Sequence, residues 1–125
     1  MIYGIGTDIV AVARIQSVLS RYGDRFARRI LSDDEMEQLG MASAPANWLA
    51  KRWAAKEAFA KATGLGMRAP LHFAGIAVHN DALGKPAFKL ADEINEWMHR
   101  QGITSAHLTV SDERDFALAF VVLET

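Results

Sequence analysis

The chain has 125 residues, half of them hydrophobic and 23% charged, and its formal net charge is −1. That length fits one domain spanning 1–125 with a core of its own, the apolar content excludes disorder as the main state, and near-neutral charge argues against a general nucleic-acid binder. No cysteine is present, which excludes disulfides, thiolate metal sites and a cysteine nucleophile and fits a reducing, cytoplasmic setting.

The first residues, Met1–Gly4, lack the basic and long apolar regions of a secretion signal, so none is expected. Residues 2–10 read as a strand whose glycines allow close backbone approach. Val12, Ile15, Val18 and Leu19 then recur at helical spacing and predict a helix over 11–22. Arg14, Arg21, Arg25 and Arg28 would line one stripe if that helix ran on, although Gly23 interrupts it. Residues 1–30 carry five arginines and two aspartates, a local charge of +3. Ser32 and Glu35 form a capping box for the next helix, which ends near Gly40.

Residues 31–45 carry four acids and no base, whereas 46–70 carry five bases and one acid. The two basic blocks are candidate surfaces for anionic partners. Pro45 suits the first turn of a helix over 46–62 that is apolar on most sides, and such a helix belongs in the centre of the molecule. Gly64-Leu65-Gly66 stops it. Strands are predicted at 73–79 and 87–90 around the turn containing Gly84, Lys85 and Pro86. A helix follows over 91–101, with Ile94, Trp97 and Met98 inward, and then strands at 105–112 and 116–123. No run approaches the ~18 apolar residues of a membrane span. The order β-α-α-α-β-β-α-β-β predicts an α+β fold, an antiparallel sheet packed on a central helix. Two strands should leave long apolar edges, which favours an oligomer.

Few residues have chemistry to offer. Gly4-Ile5-Gly6-Thr7-Asp8 has no third glycine of a dinucleotide fingerprint, so its glycines read as close packing. Asp8 is either an N-cap for the following helix or a functional carboxylate. Glu57 lies among alanines in the most apolar helix, with Lys61 one turn later; the pair is either an ordinary surface ion pair or a site. Mg²⁺ is held by one or two carboxylates plus substrate phosphates, and Asp8 with Glu57 would make such a set, with Lys61 meeting phosphate charge. An alternative is an acid/base hydrolase; Lys61 beside Glu57 should lower the carboxyl pKa and so argues against a general acid there. A third reading is a non-catalytic oligomeric module docking an acidic partner through its arginines. No two of the four histidines have metal-ligand spacing, and His107 opens an apolar strand as a half-buried histidine.

Two segments carry a resemblance. Gly4–Val10 with Ala13-Arg14-Ile15, and Arg52–Gly64 with its Trp53-x-x-Lys56-Glu57-Ala58-x-x-Lys61 core, lie 48 positions apart from Gly4 to Arg52. Together they resemble the signature blocks of the bacterial holo-acyl-carrier-protein synthases, of the 4′-phosphopantetheinyl transferase superfamily. Arg28–Ser32, Gly84–Pro86 and His107–Ser111 extend the resemblance along nearly the whole chain. It implies transfer of the 4′-phosphopantetheine arm of coenzyme A to a serine of apo-acyl carrier protein, with release of adenosine 3′,5′-bisphosphate, in support of fatty acid biosynthesis. It implies Mg²⁺ held by Asp8 and Glu57, Glu57 helping to deprotonate the serine, Lys61 near the pyrophosphate and His107 lining the coenzyme A site. Lys51, Arg52, Gly64, Gly84, Lys85 and Pro86 fall where that family handles the nucleotide. Arg14, Arg21, Arg25 and Arg28 fall on the stretch that docks the carrier. A homotrimer with sites at subunit boundaries is implied as well. Ala11 departs from the pattern, in which many members have Glu.

Overall fold

A computed structural model describes all residues, 1–125. The elements run β1 (Ile2–Ala11), α1 (Val12–Tyr22), α2 (Asp24–Ile30), α3 (Asp33–Met41), α4 (Pro45–Thr63), β2 (Ile76–Asn80), β3 (Pro86–Leu90), α5 (Asp92–Arg100), β4 (Ser105–Asp112) and β5 (Phe116–Glu124). The fold is α+β, with antiparallel strands around the central helix α4. The strands form two sheets, a three-stranded one in the order β1-β5-β4 and a β2-β3 hairpin.

Helix α4 earns its central place by size and composition. Leu49, Ala50, Ala54, Ala55, Ala58 and Phe59 are fully buried, and its small side chains let the sheet come close. Pro45 opens it, and Gly64 closes it in the left-handed conformation with φ of +81°. Beneath it, Gly4 and Gly6 of β1 pack on the backbone of Ala62 and Ala58, where any Cβ would collide with the carbonyl oxygens. The glycines of the first motif are thus packing devices.

Two expectations need correction. The expected interruption at Gly23 is present, but the residues beyond it form a further helix, so the arginines are divided between α1 and α2. Gly23, at φ +57° and ψ −135°, ends α1, and a separate helix starts at Asp24. The strand expected from 73 starts only at Ile76, because 73–75 form a 3-10 turn. There the Phe73 carbonyl accepts from Ile76 N, closing the turn, and from Lys56 Nζ at 2.9 Å. The sheet leaves β1 and β4 as open edges, as expected, and exposed apolar residues extend from β1 across one face. Ile5 and Ile9 of β1 join Phe116, Leu118 and Phe120 of β5 on the side facing away from α4. The capping box appears as expected, with Glu35 N donating to Ser32 Oγ and Ser32 N to Glu35 Oε1.

Candidate active site

Asp8 points from β1 toward α4, on the same sheet face as its buried partner Ala119. It does not cap α1, whose N-cap is Ala11 with no side-chain bond. Lys61 Nζ donates to the Thr7 carbonyl at 3.0 Å and to Asp8 Oδ1 at 3.2 Å. The lysine therefore ties α4 to β1, and it does not form the surface pair with Glu57 that its spacing offered.

Glu57 lies one turn before Lys61 and is half-buried. No side-chain hydrogen bond relieves it. Its pKa is raised above the ordinary 4.5, first by burial and then by the Asp8 carboxylate, against the opposing pull of Lys61 and Arg14. Lys61 pulls in the expected direction, but burial and the Asp8 carboxylate outweigh it, so the net shift is upward. Two neighbouring carboxylates, one desolvated and unpartnered, are what a hard cation would relieve. No cluster of three possible metal-ligating side chains occurs in the chain. The residues present fit Mg²⁺, which takes the rest of its oxygens from water and substrate phosphate. Arg14, expected only to dock a partner, also projects its charge onto Glu57.

The remaining candidates do not gather around this pair. His107 lies on β4, on the sheet face opposite Asp8, where it pairs in register with Val122 and faces the same side as Ile5. It is exposed rather than half-buried, and its Nε2 meets Glu124 Oε1 at 2.5 Å. Gly64 caps the far end of α4, roughly 18 Å along the axis from Arg52 at 1.5 Å per residue. Lys51 is partly exposed, near the start of the helix. Arg52 is only 7% exposed. Its guanidinium stacks over the Trp48 ring at 4.6 Å and donates to Gln38 Oε1 and Asn80 Oδ1. Gly84, Lys85 and Pro86 form the exposed tip of the β2-β3 hairpin, with Gly84 at φ +87°. Arg14, Arg21, Arg25 and Arg28 are all exposed and none is in an ion pair, so this basic block is open to a partner.

The second basic block is not the open surface its charge predicted. Lys56 is fully buried and donates to Glu35 Oε1 at 2.6 Å. Glu35 Oε2 accepts from Val78 N and lies 3.5 Å from Arg52 Nε. Burial pushes the Lys56 ammonium below the usual lysine range, and Glu35 opposes that shift. Glu35 had only a capping role in the sequence, since its partner sits 21 residues away. The one local signal was a lysine amid an otherwise apolar helix face. A cleft of about 660 Å³ lies elsewhere. It runs between α3 and the β2-β3 hairpin, lined by Ser32, Asp33, Gln38, His79 and Lys89 among others, and excludes Asp8, Glu57 and Lys61.

Comparison with known proteins agrees with this arrangement. The profile of the 4′-phosphopantetheinyl transferase superfamily matches residues 4–121. The holo-acyl-carrier-protein synthase of Nitrosomonas europaea is 56% identical over 124 residues, 99% of both chains. The crystal structure of the Neisseria meningitidis synthase superposes with a TM-score of 0.97 at 50% identity, covering 100% of both chains. That of the Bacillus anthracis synthase, in complex with coenzyme A (3′,5′-ADP), gives 0.83 at 37% identity over 100% of this chain and 98% of that one. The chain belongs to the holo-acyl-carrier-protein synthases of the 4′-phosphopantetheinyl transferase superfamily. It is by that membership a transferase.

Proposed function

We propose that the chain, acting as one cytoplasmic domain, moves the 4′-phosphopantetheine arm of coenzyme A onto a serine hydroxyl of apo-acyl carrier protein, in support of fatty acid biosynthesis. The observation that carries this reading is the half-buried, unpartnered Glu57 beside Asp8 and Lys61. The coenzyme A complex of the Bacillus anthracis synthase supports the choice of donor.

In the reaction the serine oxygen forms a bond to the phosphorus that bears the pantetheine. The bond from that phosphorus to the bridging oxygen breaks, and adenosine 3′,5′-bisphosphate leaves. Glu57 accepts the serine proton, directly or through one water. Lys61 Nζ, anchored at Thr7 and Asp8, holds positive charge where the leaving phosphate gains negative charge. Asp8 and Glu57 would hold Mg²⁺, which when bound neutralises the charge of the pyrophosphate. Lys51, Gly64 and the Gly84–Pro86 turn receive the nucleotide, and Arg14, Arg21, Arg25 and Arg28 dock the acidic carrier.

The same reading includes a homotrimer. Ile5, Ile9, Phe116, Leu118 and Phe120 form a contiguous apolar patch on one sheet face, of the kind a subunit contact covers. His107 lies on that face, out of reach of its own Glu57, so a neighbouring copy would supply it to the site.

The deciding experiment incubates the folded protein with coenzyme A, Mg²⁺ and apo-carrier protein, followed by mass spectrometry of the carrier. The expected result is a gain of one phosphopantetheine arm. No gain from a folded protein that still binds the carrier would favour the docking-module reading, which the open arginine surface alone would also support.

A further inference from the structure

We infer that Asn80 is a positioning residue that fixes the Gly84-Lys85-Pro86 turn to helix α4, and that this fixation sets the affinity for the coenzyme A nucleotide. The second half rests on the proposed reading of that turn.

The hairpin projects its turn beyond the Asn80–Pro86 pair. Asn80 is the last residue of β2 and pairs with Pro86. That pair falls between ladder bonds, since the neighbouring Asp81 N donates to the Lys85 carbonyl while Val78 N, two residues back, turns away from β3 to Glu35, so the proline costs the hairpin no bond. Beyond it the tip is organised mainly from within. Asp81 Oδ1 accepts from Leu83 N and Lys85 N, both at 2.9 Å. Asp81 N donates to the Lys85 carbonyl, and Gly84 N to the Asp81 carbonyl. These bonds give the tip a shape, but none joins it to the rest of the molecule.

Asn80 supplies that junction. Its Nδ2 donates to the Gly84 carbonyl at 3.0 Å, and its Oδ1 accepts from an Arg52 NH2 group at 2.9 Å. The amide can face only this way, since a guanidinium has donors alone and a carbonyl is an acceptor alone. Arg52 is itself held by the Trp48 ring, Gln38 and the carboxylate of Glu35. It stands five positions before Glu57 on the same helix. A two-bond path therefore runs from the rigid helix of the carboxylate site to the exposed tip. Arg52, buried and committed, acts through this path.

The test uses two variants of the full-length protein. Asn80→Ala removes both bonds. Asn80→Asp keeps an oxygen for Arg52 and loses only the donor to Gly84. Each should raise KM for coenzyme A about threefold to tenfold, the worth of one neutral hydrogen bond, with kcat within about twofold and KM for carrier protein unchanged. Amide exchange at Leu83, Gly84 and Lys85 should quicken in both. A wild-type KM for coenzyme A in Asn80→Asp, or equal losses toward both substrates, overturns the inference. Calorimetry of coenzyme A with the wild-type protein separates the two readings. Absence of binding there removes the transfer reading and the nucleotide half of this inference. Unchanged exchange at the tip in Asn80→Asp removes the tie itself.

Discussion

Gly6 of β1 lies bare against the Ala58 carbonyl of α4, and a Cβ added there would also come within 2.6 Å of the Ala62 nitrogen. The contact is backbone against backbone, so no flexible side chain can yield. It sets the depth at which β1 crosses the helix, and so where Asp8 stands relative to Glu57 and Lys61. Gly6→Ala should cost about 1–3 kcal/mol of stability, as overpacking does. It should lower transfer far more than stability, which denaturant titration and kinetics on one preparation will compare. Full activity in a folded Gly6→Ala protein would show that this depth does not matter.

An ionised Glu57 costs the fold stability. Its folded pKa is raised, so its contribution to stability is complete below the unfolded value near 4.5 and is lost as pH rises through the folded value. At neutral pH, with divalent cations chelated, Glu57→Gln should therefore melt at a higher temperature than wild type. The advantage should shrink as pH falls toward 4.5. The same variant should lose transfer by at least about a hundredfold, with no rescue by added Mg²⁺, consistent with a group acting on the proton and the metal. Thermal scans across pH with chelator present will check the sign; a destabilised variant at pH 7 contradicts it.

Lys56 acts in the opposite sense. Removing it leaves the buried Glu35 carboxylate with only the longer Arg52 contact, at 3.5 Å, to balance its charge. Lys56→Met should cost about 3–5 kcal/mol, as broken buried pairs do. The double variant Lys56→Met/Glu35→Gln should recover much of that loss, since both charges are then gone. Urea unfolding of the four proteins in the cycle measures the coupling, and additive losses would mean that the 2.6 Å pair is not an energetic unit.

Arg14 and Arg21 should separate kinetically. Both are exposed, but only Arg14 contributes to the potential at Glu57. Arg21→Ala should raise KM for the carrier protein at low salt, with the difference fading as salt screens it. Arg14→Ala should do the same and also change kcat. Steady-state kinetics at two ionic strengths will tell them apart, and identical behaviour would remove the second role of Arg14.

Much of this was legible in the chain. The apolar, alanine-rich run from Pro45 to Thr63 announced a buried central helix, and Ser32 with Glu35 announced a capping box. The two motifs carried Asp8, Glu57 and Lys61 to one place. What stayed hidden depended on contacts between distant residues. Lys61 had two acceptors in reach, and only the glycine-mediated approach of β1 turned it from Glu57 to Thr7 and Asp8. Lys56 counted as surface charge because Glu35, the residue that buries it, is remote in sequence. The helix at Asp24–Ile30 was missed because one glycine torsion at residue 23, invisible to periodicity, restarts the chain in a new direction.

The separation of His107 from Glu57 across the two faces of one sheet has a consequence for inheritance and for mixtures. If each working site draws its carboxylate from one copy and its imidazole from the next, two dead proteins can make a live one. A Glu57→Gln chain and a His107→Ala chain, each inactive alone, should regain part of the activity when unfolded and refolded together. Some of the sites assembled that way join the intact Glu57 of one parent to the intact His107 of the other.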